Sequence, residues 1–405
     1  MSPIQRDGVV LMTAAGWHDE SPGGANKLPT DFARSLASRG YWVTYLCASD
    51  AIDRVTRSDI DGVDLRRYPS PSAPSPSLAN VRSHWQMTSE IVRAVQAERP
   101  VRAVLGHSPL QYLAAARACR SGRRCYGVHS PLVAELEHGV TGQPTWRHRM
   151  AWRAAWHLEA SVLRVSDVVH CDSDYTRRFM QSEHPRRLNG KAIVLPGWVD
   201  VERFRAAPVS RDELRGQLGW PWEPGVTTFF ALRRLVPRMG LDTLLDAAAR
   251  VAARGRKFRV VVGGEGVERS RLEALALARG IADRVAFVGR IPESRLSASY
   301  GAADCFVLPT RALECFGLIV LESYACGVPV IGVPVGSIPE VMGPQFSEWV
   351  TDDNSAPALA ERMEDFLTGR IAADADTLRR RALEFDMHAV MALHERVLLG
   401  NGAAQ

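Results

Sequence analysis

"DCFVLPTRALECFGLIVLESYACGVPVIG", residues 304–332, reads as a strand, a loop, a helix and a second strand in immediate succession. "DCFVLPT" is the first strand and "RALECFG" the loop, while "LIVLESYACG" forms a helix closed by Gly327 with Pro329 beyond it. A strand that returns through a helix to another strand is the repeat of a parallel sheet. Two acids, Glu314 and Glu322, interrupt this apolar run. Desolvating an unpaired carboxylate costs several kcal/mol or more. These two therefore either sit on a solvated face or line a cleft and hold a ligand. The amides of Cys315, Phe316, Gly317 and Leu318 fall at the helix start, a place for a diphosphate or a sugar hydroxyl. A carboxylate can accept two hydroxyls at once, so a ribose diol or a hexose suits each acid.

The same alternation extends in both directions. "VTTFFALRRL", "KFRVVVGGEG" and "RVAFVGR" precede the stretch as further strands separated by helical patterns. The first half repeats the pattern with "GVVLMTAA", "YWVTYLCA", "VRAVLGH", "CYGVHS", "DVVHCDS" and "KAIVLPGWVD". The proline- and serine-rich "YPSPSAPSPSLAN" reads as an exposed loop. Residues around 205–224 read as a linker with one short helix. At 405 residues two domains are expected. The predicted α/β architecture is two doubly wound, Rossmann-like domains, 1–204 and 205–385, facing across a cleft. A last helix, 386–405, is free to pack on either half, and the N-terminal one is preferred. Ligands of such sheets sit at the carboxyl ends of the strands.

Composition excludes several classes. Hydrophobic content of 46% and charged content of 23% describe a soluble globular chain. The net charge of +5 is dispersed over many arginines, without the basic stripe of a nucleic-acid binder. The seven cysteines are odd in number and lack zinc-type pairs, which suits buried thiols in a reducing cytoplasm. No stretch is long enough to span a bilayer, so any membrane contact would be peripheral. The Trp- and Arg-rich "WRHRMAWRAAWHLEASVLRV" reads either as an ordinary amphipathic surface helix or as an interfacial one.

Other loops carry candidate chemistry. Gly23 and Gly24 open a helix after the first strand, and Gly264 lies in the strand-ending turn "VVVGGEG". Both turns permit close ligand approach, and both also occur for purely structural reasons. Arg233, Arg234 and Arg238 cluster after one strand, as phosphate binding requires. His129 follows another strand, where a catalytic and a structural role are both open. No GxGxxG is present, which disfavours a dinucleotide site.

Together these motifs resemble the retaining glycosyltransferases of the GT-B fold, family 4. Glu314 and Glu322 in "ECFGLIVLE" meet the family's E-x7-E pattern, and "YGAADCFVLPT", "ACGVPVIGVPVGSIPEV" and "RRLVPRMGLDTLLDA" match as well. The resemblance implies that Glu322 binds the ribose of a nucleoside diphosphate sugar and that Glu314 holds the transferred sugar. It implies Phe316, Gly317 and Leu318 amides near sugar and phosphate, Arg234 on the diphosphate, and Arg290 and Ile291 beside the base. Gly24 would approach the donor, and His129 would contact the transferred sugar. Two positions depart from the pattern. Met239 stands where the family usually has lysine, and Arg238 or Arg233 is expected to compensate. Trp198 replaces a glycine and is read as a packing residue.

The expected enzyme is a metal-independent, retaining hexosyltransferase with no cofactor. It would move a hexose or amino-hexose, with UDP as the favoured nucleotide, to a soluble small hydroxyl acceptor such as a natural-product aglycone or aminocyclitol. Its expected setting is a bacterial cytoplasm. A GT-B sugar-nucleotide epimerase and a non-catalytic sugar-nucleotide binding protein are the alternatives.

Overall fold

The computed structural model describes residues 6–20, 23–70, 78–139 and 143–400. The core of the proline-rich segment, 71–77, lies outside the described residues, so its reading as a loop has no structural counterpart. The chain forms two units, residues 1–196 with 388–405, and residues 197–387.

In unit 1 the strands are β1 (Arg6–Thr13), β2 (Tyr41–Ser49), β3 (Thr56–Ile60), β4 (Val63–Pro69), β5 (Val101–Gly106), β6 (Arg123–Val128), β7 (Val168–Cys171) and β8 (Ala192–Val194). They form one sheet in the order β3-β4-β2-β1-β5-β6-β7-β8. Every pairing is parallel except β3 with β4. That antiparallel hairpin at the sheet edge is absent from the sequence reading, because "TRSDI" carries no apolar alternation. The signal that finds it is Asp61-Gly62, whose positive φ values of 54° and 78° make the tight turn.

Unit 2 holds β9 (Thr227–Leu232), β10 (Phe258–Gly263), β11 (Val285–Gly289), β12 (Cys305–Leu308) and β13 (Val330–Gly332). Its sheet is all parallel, in the order β11-β10-β9-β12-β13. All four residues of β12 are fully buried, as expected for a strand covered on both faces. Each such side chain contributes about 1.5–3 kcal/mol on burial. The expected linker is instead part of this unit. Val199, Val201, Phe204, Leu214 and Trp220 are buried in its core, so the unit begins at Gly197 and not at 205. Trp198, only 4% exposed, is packed within the same segment.

Strand order reverses between β1 and β5 in unit 1 and between β9 and β12 in unit 2. Loops leaving the carboxyl ends of these strands splay apart at each reversal and leave a crevice for a ligand. Each unit thus has its own expected binding position.

Candidate active site

In unit 2, Arg233 and Arg234 leave β9 while Thr310 and Glu314 leave β12, so they flank the strand-order reversal. An Arg233 Nη2 donates to Glu314 Oε2 at 2.5 Å and also lies 2.8 Å from Met239 Sδ. Thr310 Oγ1 donates to the same carboxylate oxygen at 3.2 Å. The Arg233 Nε is buried and has no hydrogen-bond partner among the described residues. A buried, unpaired guanidinium N–H is costly, and an anionic ligand would relieve it. Arg234 is exposed and makes no ion pair among the described residues. Arg238 Nη1 donates to the Leu313 carbonyl at 3.3 Å, so it supports the loop that carries Glu314. Of the two arginines expected to compensate for Met239, Arg233 is the one whose guanidinium is shown against the Met239 sulfur.

The backbone of this loop is tightly held. The Ser337 amide and hydroxyl both donate to the Glu314 carbonyl, at 2.8 and 3.1 Å. Leu313 takes a left-handed φ of 61°, and Gly317 (φ 79°) leads into the helix Leu318–Ala325. Glu322 lies on that helix, 8% exposed, and accepts from Tyr300 Oη at 2.7 Å. Burial, followed by the Glu322 charge, pushes the Tyr300 phenol well above its ordinary value, so it stays a donor. Phe316 packs on Phe385 with ring centroids 5.7 Å apart. Gly264 directly follows β10 and donates its amide to the Gly289 carbonyl at 2.7 Å, next to the exposed Arg290 and half-buried Ile291. Arg233, Arg234, Arg238, Gly264, Arg290, Ile291, Phe316, Gly317, Leu318, Glu314 and Glu322 all lie in this unit.

Gly23, Gly24 and His129 belong to unit 1. Gly23 is exposed at the start of the helix Gly24–Ser38, and its amide donates to His18 Nδ1 at 3.4 Å. His129 follows β6, and both of its ring nitrogens are engaged. Nδ1 donates to Asp172 Oδ2 at 2.7 Å, and Nε2 lies 2.7 Å from His107 Nδ1. The reading that His129 itself contacts the transferred sugar finds neither nitrogen open in this structure. Burial opposes charge on His129, but the Asp172 carboxylate outweighs it and raises the pKa.

His107 touches His170 edge-on, with ring centroids 5.8 Å apart, and His170 touches His394 at 5.5 Å. Burial, reinforced by the neighbouring imidazoles, holds His107 and His170 well below the ordinary histidine value. His394 is held down to about 4, chiefly by burial. Unfolded histidines titrate near pH 6.5. Between that value and about 4 the folded chain binds fewer protons at His394, so stability is lost as pH falls through this window. His170 adds a loss of the same sign. Each group contributes a slope of about 1.4 kcal/mol per pH unit where it applies. Urea melts at pH 6, 5.5 and 5, below the window in which the raised His129 pKa acts with the opposite sign, are expected to show a falling midpoint, with a shallower fall in His394→Asn. An unchanged midpoint would contradict the buried neutral cluster.

The Glycosyltransferase Family 4 model matches residues 22–203, and the Glycosyl transferases group 1 model matches residues 210–384. The D-inositol 3-phosphate glycosyltransferase of Acidothermus cellulolyticus is 30% identical over 349 residues, covering 78% of this chain and 71% of that protein. The chain belongs to glycosyltransferase family 4. This family 4 glycosyltransferase is also 34% identical over 242 residues to the GDP-mannose-dependent alpha-(1-6)-phosphatidylinositol monomannoside mannosyltransferase of Mycobacterium tuberculosis. That match covers 57% of this chain and 61% of the relative's length. Sucrose-phosphate synthase from Thermosynechococcus elongatus shares the fold, with a TM-score of 0.79 over 99% of this chain and 100% of the other at 20% identity. The GT-B fold class is therefore the one expected from sequence.

His107, Asp172, Tyr300 and Thr310 were not singled out from the sequence. His107 and Asp172 each directly follow a strand end, the same position that marked His129, so that criterion applied evenly would have found both. Nothing in the sequence pairs Tyr300 with Glu322, since that contact depends on helix packing.

Proposed function

We propose that the chain transfers a hexose or amino-hexose from a nucleoside diphosphate sugar to a hydroxyl of a cyclitol acceptor, with retention at the anomeric carbon. The carrying observation is the Arg233–Glu314 pair at the unit 2 strand reversal, with an unpaired Arg233 Nε and an exposed Arg234 beside it. Glu314 takes sugar hydroxyls and Glu322 the ribose. The leaving diphosphate gains negative charge as the sugar departs, and Arg233, Arg234 and the amides of Phe316, Gly317 and Leu318 stabilise it. With these charges supplied by protein groups, transfer proceeds without a metal, by attack on the face from which the diphosphate leaves.

Supporting a cyclitol are the relatives' names, which contain inositol 3-phosphate and phosphatidylinositol. For the nucleotide, GDP joins UDP because one relative is named GDP-mannose-dependent. The test is a panel of GDP-mannose and UDP-glucose against D-inositol 3-phosphate and aminocyclitols, in EDTA. Acceptor-dependent release of nucleoside diphosphate is expected. Conversion of donor without acceptor would point to an epimerase, and binding without turnover to a non-catalytic role.

One observation favours a second reading of the acceptor. On the helix Trp146–Val165, Trp146 and Met150 are 66% and 61% exposed, among the exposed Arg147, Arg149 and Arg153. Apolar groups ringed by cations suit an anionic lipid surface. Among the described residues no helix is long and apolar enough to cross a membrane. Transfer to phosphatidylinositol in vesicles, lost in Trp146→Ala, would select this reading over a soluble cyclitol.

A further inference from the structure

We propose that Tyr300 is a positioning residue that sets the plane of the Glu322 carboxylate, and that a carboxylate so held selects a donor whose ribose carries both hydroxyls over its 2′-deoxy counterpart. The assignment of Glu322 to the ribose rests on the proposed function; the hold of Tyr300 on Glu322 rests on contacts within unit 2.

The outermost torsion of a glutamate is broad and roughly two-fold, so the side chain alone does not fix which way its two oxygens face. An unheld carboxylate has to be ordered when a ligand binds, which costs affinity. Glu322, on the helix Leu318–Ala325, accepts from Tyr300 Oη through its Oε2 at 2.7 Å. Tyr300 lies on the helix Leu296–Gly301 and is fully buried. Its ring meets Phe204 and Phe230 edge-on, with centroids 6.0 and 5.8 Å away, and lies tilted against Phe306 at 5.4 Å. Those three rings come from the segment before β9, from β9 and from β12. The phenol is therefore pinned by three separate parts of one core, and the oxygen it bonds is pinned with it.

The bond has a fixed direction as well. Burial, followed by the Glu322 charge, holds the Tyr300 phenol well above its ordinary value, so it keeps its proton and donates. The Arg233 charge opposes that shift and so acts on the same phenol. Arg233 in turn pairs with Glu314. Tyr300, Glu322, Arg233 and Glu314 thus form one electrostatic group. Arg233 and Glu314 place that group at the strand-order reversal of unit 2, where a ligand is expected.

The selection follows from hydrogen-bond counting. An ionised carboxylate only accepts, at about four lone-pair positions spread over two oxygens. Tyr300 takes one position on Oε2 and thereby sets the plane in which the others lie. A ribose presents two adjacent hydroxyls, which can donate to both oxygens of one carboxylate when its plane matches theirs. A 2′-deoxyribose presents one, and a single bond is met by many carboxylate orientations. The diol therefore gains from a held plane, and the lone hydroxyl gains little.

The test is calorimetric binding of GDP and 2′-deoxy-GDP to the full chain, replaced by UDP and 2′-deoxy-UDP where the transfer panel selects UDP. Wild type is expected to bind the ribonucleotide about 10-fold more tightly. Tyr300→Phe keeps the ring and its packing and removes only the donor. It is expected to weaken GDP about 10-fold and 2′-deoxy-GDP far less, so that the preference disappears. A merely structural loss would weaken both nucleotides alike. In Glu322→Gln the preference should already be lost, and adding Tyr300→Phe should change it no further. Carbon-13 tyrosine NMR of the wild type needs no variant: the Tyr300 Cζ signal is expected to move on adding GDP and to move less with 2′-deoxy-GDP. A preference that survives in folded Tyr300→Phe, an equal loss for both nucleotides, or a Tyr300 signal that neither nucleotide moves overturns the proposal. Equal binding of both nucleotides by wild type removes the ribose from Glu322 and the proposal with it. A wild type that binds neither defeats the nucleotide-sugar reading and the proposal together.

Discussion

Glu314→Gln is expected to lower sugar transfer by roughly 10²–10³-fold while leaving the fold intact, the scale seen when one preorganised polar group is lost from an active site. Glutamine preserves the shape of the side chain and can still accept from Thr310. What it removes is the charge opposite Arg233, 2.5 Å away. Arg233 then loses the anchor that places its unpaired Nε, and the sugar loses a carboxylate acceptor for its hydroxyls. The loop should not collapse, because the Glu314 carbonyl is held independently by the Ser337 amide and hydroxyl. The loss should therefore appear in kcat more than in the melting temperature. Comparing initial rates with circular dichroism melts separates the two. A variant with full transfer would remove Glu314 from the site.

A large stability effect is expected at Gly264. Its φ is +115°, and a Cβ there would lie 1.9 Å from the Arg233 carbonyl oxygen, a clash that no rotamer relieves. Strain at such a backbone position and displacement of a buried strand end act together in Gly264→Ala. A cost of about 3 kcal/mol or more is expected. For a unit of this size, calorimetry should show a transition lowered by roughly 6–12 °C. Because the clash falls on the backbone of Arg233, donor binding should weaken even where the variant folds. An unchanged melting temperature would mean the β9 and β10 loops are not packed as described. Gly264 is thus needed for loop-to-loop packing, the structural side of the two readings its turn allowed.

Much of this was legible in the sequence because burial on both faces writes strands as apolar runs. β9, β10, β12 and β13 were read from such runs, and Glu314 and Glu322 stood out because acids there conflict with the desolvation cost. Where the polypeptide departs from that rule, the reading failed. The edge hairpin of β3 and β4 is half-solvated and polar, so its only mark is Asp61-Gly62. The segment 205–224 reads as a linker because its apolar residues are scattered, yet Leu214 and Trp220 are buried in the core. His129 was found by its strand-end position, but its engagement with Asp172 and His107 depends on three strand ends brought side by side. Sequence spacing carries no record of that.

Nucleoside diphosphate release and sugar attachment can be followed together, by mass spectrometry, in wild type and Glu314→Gln. With GDP-mannose or UDP-glucose and a cyclitol acceptor, wild type is predicted to release diphosphate and gain one hexose on the acceptor in equal amounts, without added metal. Glu314→Gln is predicted to do neither at a comparable rate. Donor consumed without any sugar on an acceptor, or equal transfer by both proteins, would contradict it.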